Sequence, residues 1–456
     1  MLSRDWQPDK PSPTKANLSA KISLLNATPK EIIATTALRP MQYALILVCF
    51  IMNMLDGMDV LVISYTAPAI SREWATSPET LGIVFGAGMA GMTLGTLLIA
   101  PLADRFGRKT IIIFSGLLMG CTIYLTAYAQ DITQLMLFRF LSGLGIGSML
   151  ASTTSLTAEY SPEKSRDFWI SFVLSGYPAG AILSGVVAAA VVPEEGWRYM
   201  YRLAGIATLM TAPLVILLLS ESIEFYLSVR PRNALTKVNR ILGRMNIACL
   251  KELPDSDKIT SKIPVGKLFK PEYRKTTLML WAALFMVFSV VYYLINWIPK
   301  LASDAGMSME LAIYAGTTFN AGAFIGMLFQ GYLSSVFGLK RTIGFILIIT
   351  GGLMASFGLL IGTDWLLLLI GLLGFGIQGG LVGLYSFCAR VYPAGFRTTG
   401  IGWAMGAGRL GGIAAPMVGG LLIGLGMGLT ASFMLFAIPA FLAGLFTFGI
   451  STARVR

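Results

Sequence analysis

The sequence predicts an all-α membrane protein of twelve transmembrane helices, arranged as two parallel-repeat halves of six. Three observations carry that expectation. Apolar stretches long enough to cross a bilayer recur along the chain, charged residues are scarce, and the second half repeats the first at a constant offset. Of 456 residues, 55% are hydrophobic and only 13% are charged. An ordinary soluble chain carries roughly 25% charged residues.

Taken in order, charged or Gly/Pro breaks separate the apolar runs. The first six cover roughly 41–65, 80–103, 111–129, 133–157, 168–192 and 203–220. The second six cover roughly 277–299, 310–335, 342–361, 365–388, 399–424 and 429–450. Each is near the ~20 residues that a helix needs to span the hydrocarbon core. The expected organisation is a tail (1–40), a six-helix half (41–220), a polar linker (221–276), a second half (277–450) and a short tail (451–456). The polar first forty residues lack the pattern of a secretory signal peptide.

Loop charges set the orientation. Arg and Lys gather in the N-terminal tail, at Arg105, Arg108 and Lys109, at Lys164 and Arg166, in the linker, at Lys340 and Arg341, and at Arg390 and Arg397. The opposite loops hold only a few, such as Arg72, Arg198 and Lys300. The positive-inside rule therefore places both termini in the cytoplasm. The net charge of +12 reads as topology rather than affinity for nucleic acid, and the basic linker as a tether on an anionic leaflet. The absence of histidine removes imidazole as base or ligand. Four cysteines without CxxC spacing indicate neither a disulfide framework nor a zinc site.

A shift of 231 positions brings the halves into register without a gap. Gly91 and Gly95 then meet Gly322 and Gly326, Phe106, Gly107 and Lys109 meet Phe337, Gly338 and Lys340, and Gly180 meets Gly411. Six is even, so the halves share one orientation, as in carriers whose substrate lies at the repeat interface near the midplane. Three GxGxxG matches, at Gly86–Gly91, Gly374–Gly379 and Gly406–Gly411, follow no strand and so do not mark a dinucleotide site. Close helix packing accounts for them and for the GxxxG pairs Gly91/Gly95, Gly176/Gly180, Gly322/Gly326 and Gly402/Gly406. No GxxxxGK[ST] loop, nucleophile–base pair or metal cluster stands out, so neither an ATP-driven pump nor an enzyme is expected.

Where the repeat breaks, charges mark function. Asp56 and Asp59 align with Val287 and Val290, Arg139 aligns with Ile370, and Arg409 aligns with Pro178. A carboxylate at the centre of a span costs roughly 2.5–3.5 kcal/mol on insertion scales, so such residues face a cavity or a partner. Asp56 and Asp59, three apart, share a helix face. Two anions and a cation in one half, opposed by a cation in the other, form an economical ion-coupled anion site.

The stretch Leu102-Ala-Asp-Arg-Phe-Gly-Arg-Lys-Thr110, its weaker copy at Leu333–Arg341, and Arg139-Phe-Leu-Ser-Gly-Leu-Gly-Ile-Gly147 resemble the major facilitator superfamily over nearly the whole chain. Within it, Leu55-Asp-Gly-Met-Asp59, Trp297-Ile-Pro299 and the stretch from Arg390 through Arg397 to Arg409 are similar to the aromatic acid:proton symporters. The departures are Ala100 for the loop motif's opening glycine and Ser335 for an acid in the second copy. The resemblance implies proton-driven uptake of a benzoate- or hydroxybenzoate-like carboxylate across the bacterial inner membrane, by a monomer without cofactor beyond the coupling protons. A carrier of another organic anion, a sugar or a drug is the alternative, with a non-transporting membrane sensor further off.

On that reading Asp56 or Asp59 takes the proton, Arg139 modulates them, and Glu159 is a further proton site. A carboxylate suits the guanidinium of Arg409. The ring needs apolar walls with a few polar handles, which Tyr292, Tyr293, Asn296, Trp297, Phe319, Asn320, Gln378 and Tyr385 are placed to supply. Asp104, Arg105, Arg108 and Arg397 are expected to gate the cytoplasmic side.

Overall fold

The structure is a computed structural model that describes residues 29–247, 249–253, 268–360, 363, 365–392 and 397–450. Helices are the regular structure of the described residues, joined by short loops and without strands. The first six spans are α1 (Pro40–Trp74), α2 (Pro78–Phe106), α3 (Arg108–Thr126), α4 (Ile132–Tyr160), α5 (Phe168–Glu195) and α6 (Trp197–Leu218). The second six are α7 (Pro271–Asp304), α8 (Met309–Phe337), α9 (Leu339–Ala355), α10 (Leu366–Val391), α11 (Arg397–Gly424) and α12 (Leu429–Gly449). Among the described residues, eleven of these are long and apolar enough to cross a membrane. The remaining one, α9, has 17 residues and is followed by the short helix Phe357–Leu360.

Sequence boundaries fell short mainly on α1 and α7, which extend to Trp74 and Asp304. Both continue through a proline, Pro68 and Pro299, where a soluble helix would be expected to kink or stop. Neighbouring spans can satisfy the freed carbonyl, so a membrane helix tolerates it.

The internal repeat has a direct structural signature. Ser64 Oγ donates to the Ile295 carbonyl at 2.6 Å, and Arg72 Nη2 donates to Ser303 Oγ at 2.9 Å. Both pairs join positions 231 apart, so α1 and α7 meet at the pseudo-two-fold axis. Glycine contacts repeat in the same register. Gly91 and Gly95 lie against the Phe140 and Leu144 carbonyls of α4, and Gly322 and Gly326 against Gly371 and Phe375 of α10. Any Cβ there would collide with backbone, which is how small residues let membrane helices approach closely. The loop glycines Gly107 and Gly338 take φ of 99° and 85°, a region open mainly to glycine.

One packing expectation is corrected. A Cβ on Gly402 or Gly406 would meet nothing within 4 Å, so among the described residues this GxxxG pair packs against no helix. Its neighbours do the packing, Gly408 against Phe288 and Gly411 against Phe285. The motif is a spacing pattern, and α11 turns a different face to α7.

Contacts between the halves gather at the end of the bundle away from Pro40 and Gly449. Besides Ser64 and Arg72, Gly185 of α5 meets Thr317 of α8, Gly82 meets Pro416, and Gly420 meets Pro78. Phe85 and Trp297 rings stand edge to face at 5.3 Å.

Overpacking such crossings costs typically ~1–3 kcal/mol. Gly95→Val and its repeat mate Gly326→Val are each expected to lower the melting temperature of the detergent-purified protein, whereas Gly402→Ala should leave it unchanged.

Candidate functional site

Two buried acids on α1 define the centre of the first half. Asp59 is fully buried and Arg139 of α4 is 3% exposed. Arg139 Nη2 donates to Asp59 Oδ1 at 2.6 Å, and Nη1 to the Asp59 backbone carbonyl at 3.1 Å. The guanidinium carbon also lies 5.4 Å from the Tyr201 ring centroid, a cation–π contact strengthened by desolvation. Asp56, one turn earlier, is equally buried, yet neither carboxyl oxygen has a hydrogen-bond partner among the described residues. Close by, Asn53 Nδ2 donates to Thr153 Oγ1 at 3.0 Å. The structure thus separates two acids that the sequence leaves equivalent: Asp59 is paired and Asp56 is not.

Against the pair lies a cavity of about 30 Å³, lined by Asp59 and Arg139 and, from α7, by Tyr292 and Asn296. Space of this size admits a water or two, not an aromatic ring. Phe85, Met89 and Met92 of α2 supply its apolar wall.

Arg409 sits across the interface. Its Nη1 donates to Thr96 Oγ1 at 2.7 Å and to the Met92 carbonyl at 3.0 Å. Among the described residues, Nε and Nη2 have no hydrogen-bond partner, which leaves free the edge that grips a carboxylate in bidentate fashion. Tyr292 and Tyr385 stand in its electrostatic field. Phe288 joins them, with centroids 5.9 Å from Tyr292 and 6.3 Å from Tyr385. Phe288 and Thr96 escaped the sequence reading. Phe288 lies four residues before Tyr292, so helical spacing was the available signal; nothing in the sequence pointed to Thr96.

The other expected residues disperse. Tyr293 turns away from the interface and stacks on Phe436 of α12 with centroids 3.7 Å apart. Adjacent residues on a helix point about 100° apart, so Tyr292 and Tyr293 cannot share a face. Trp297 donates its Nε1 to the Pro416 carbonyl at 3.1 Å and meets Phe85 across the interface. Phe319 is fully buried where its backbone meets Gly374. Asn320 donates to the Gly316 carbonyl at 2.9 Å and Gln378 is buried on α10, whereas Asn296 stays at the cavity, its amide donating to the Tyr292 carbonyl at 2.7 Å.

Glu159 stands apart from the aspartates, at the chain-terminal end of α4. It pairs with Arg108, accepts from Ser222 Oγ at 2.7 Å, and accepts from the Glu224 amide at 2.8 Å. Arg108 also reaches Glu224 at 3.0 Å. This network ties the α2–α3 loop to the start of the linker. Asp104 and Arg105 are exposed there, Arg105 lying 5.4 Å from the Phe106 ring centroid. The Arg397 side chain lies outside the described residues.

Two parallel six-helix halves with buried charges at their interface define a secondary-transporter architecture. Comparison with known proteins agrees. The Major Facilitator Superfamily model matches residues 49–328, and the chain belongs to that superfamily. It is 32% identical to the 4-hydroxybenzoate transporter PcaK of Pseudomonas aeruginosa, over 89% of this chain and 92% of that one. It is 32% identical to a gallate transporter of Pseudomonas putida (91% and 93% covered) and 29% identical to a benzoate transport protein of Acinetobacter baylyi (93% and 93%). Among solved structures, a D-xylose–proton symporter superposes with a TM-score of 0.70 at 17% identity, covering 91% and 99% of the two chains. An inward-facing, occupied bacterial Spinster homologue gives 0.71 at 18%, covering 92% and 98%. These two share the fold. The protein is therefore a multi-pass membrane transporter and not an enzyme.

Removing one member of a buried ion pair typically costs ~3–5 kcal/mol by stranding the other charge. Arg139→Gln alone is expected to destabilise by about that much, and adding Asp59→Asn should recover a large part of it. A double-mutant cycle on unfolding in detergent measures the coupling; additive effects would show the two side chains to be independent.

Proposed function

We propose that this protein is a proton-coupled symporter that brings a small aromatic carboxylate across the bacterial cytoplasmic membrane by alternating access. The observation that carries the reading is Arg409: a guanidinium at the interface of the halves, with one edge unpartnered among the described residues and an aromatic wall of Phe288, Tyr292 and Tyr385 beside it. The names of the aromatic-acid relatives point the same way.

Arg409 would take the substrate carboxylate on its Nε/Nη2 edge while the ring lies against the wall. Its two hydrogen bonds to α2 tie the halves together. A carboxylate drawing the guanidinium from its other edge re-aims Nη1 and loosens that tie, which links binding to the rocking of one half on the other. Closure at the end away from the termini, with both termini cytoplasmic by the charge rule, corresponds to an inward-facing state.

An anion entering against an inside-negative potential works uphill by about 2.3 kcal/mol per charge per 100 mV. A co-transported proton cancels that charge. Asp56 is the better carrier in this state, because a neutral carboxyl tolerates an unpartnered buried position and a carboxylate does not. Asp59, held by Arg139, keeps the opposite charge in place. The Arg108–Glu159–Glu224 network serves as a latch on the cytoplasmic side.

Vesicles containing the protein should accumulate labelled 4-hydroxybenzoate or benzoate under an imposed pH gradient, and sugars should not accumulate. Losing a charge-assisted bidentate contact of ~1.5–3 kcal/mol should raise the half-saturating concentration of Arg409→Ala by roughly 10- to 100-fold. Asp56→Asn should abolish gradient-driven accumulation. Sugar uptake in place of aromatic acid, or wild-type behaviour of both variants, would overturn the reading.

A further inference from the structure

Tyr177 of α5 is half-buried and carries a buried hydroxyl that this scheme leaves idle. Its hydroxyl has no hydrogen-bond partner among the described residues, and the same holds for both oxygens of Asp56. The two lie at one helix crossing. Gly57, the residue after Asp56, meets the Tyr177 backbone carbonyl, and Gly176 and Gly180 press α5 against Phe50, Asn53 and Met54 of α1. The groups whose charge acts on the phenol are Asp56, Asp59 and Tyr65 from α1 and Tyr292 from α7, with Arg139 of α4 paired to Asp59 behind them. Tyr177 therefore stands at the crossing that holds the unpartnered acid, within electrostatic reach of Tyr292 in the aromatic wall beside Arg409. Buried polar groups without partners are rare enough that each calls for an explanation, and here a donor and an acceptor without partners come from the two helices of one crossing.

We infer that Tyr177 is a positioning residue that relays the protonation state of Asp56 to the anion site, an inference that rests on the symport reading above. The two groups are not bonded to each other in this structure, so the relay acts once a turn of the Tyr177 side chain closes the gap. With Asp56 ionised, the phenol O–H then donates to the carboxylate and presents its oxygen lone pair toward Tyr292. When Asp56 takes a proton, one carboxyl O–H bond forms, and that O–H donates to the phenol oxygen. The phenol keeps its own proton and turns it toward Tyr292. One hydroxyl rotation thus reverses the hydrogen bond offered to the wall beside Arg409. Tyr177 touches neither the substrate nor the transferred proton.

Tyr177→Phe removes the rotor and keeps the ring at the crossing. In liposomes holding the full chain, the variant should exchange labelled 4-hydroxybenzoate without a gradient close to the wild-type rate. Under a pH gradient its accumulation should fall by about 5- to 150-fold, the range of coupling between linked sites. Wild-type accumulation, or an equal loss in both assays from a folded variant, overturns the relay. Should the wild-type protein itself fail to exchange the acid, the symport reading falls, and infrared difference spectroscopy still decides the relay. The protonated carboxyl band that Asp56→Asn removes should shift in Tyr177→Phe; an unmoved band sinks the hydrogen bond.

Discussion

A carboxylate at bilayer depth must find a cation, a proton or water, and α1 places two of them one turn apart with a single arginine in reach. Arg139 goes to Asp59 by two hydrogen bonds, one to the side chain and one to the backbone. That choice leaves Asp56 buried and unpartnered among the described residues. The asymmetry arises because α4 approaches α1 from one side while α5 covers the other, and α5 contributes tyrosine, glycine and proline at the crossing instead of a charge. The division of labour between the two acids follows from helix packing rather than from their own chemistry.

The pseudo-two-fold axis organises everything else. Contacts at equivalent positions, such as Ser64 with Ile295 and Arg72 with Ser303, can form only where repeat mates face each other. Glycines hold α2 on α4 and α8 on α10 in matching register. A frame so symmetric makes its exceptions legible. Arg409 has no cationic counterpart in the first half, and it is the side chain that reaches over the interface to Thr96. In the proposed cycle this Nη1 hydrogen bond ties the halves together while the other edge of the same guanidinium takes the substrate, so binding and the tie share one side chain.

Some expectations did not survive as a group, for reasons of direction. Tyr292 and Tyr293 both looked suited to an aromatic substrate, but neighbours on a helix diverge, and Tyr293 is spent on Phe436. Trp297 closes the interface at the end away from the termini instead of lining open space. Glu159 is satisfied by Arg108, Ser222 and the Glu224 amide, so its charge belongs to the loop–linker network. Gly402 and Gly406 share the spacing of the packing glycines and none of their contacts.

Spans, repeat and membrane class were written in the sequence itself, because a bilayer demands long apolar helices and a duplicated half leaves its period in the chain. The outlying charges at Asp56, Asp59, Arg139 and Arg409 were visible for the same reason: lipid makes any charge conspicuous. Which acid is paired, which tyrosine faces the interface, and that Thr96 and Tyr177 matter at all were decided only by tertiary packing. Those facts depend on the rotation of each helix about its axis and on partners far away in sequence, Arg139 for Asp59 at 80 residues and Thr96 for Arg409 at 313. Spacing along one helix carries no such information.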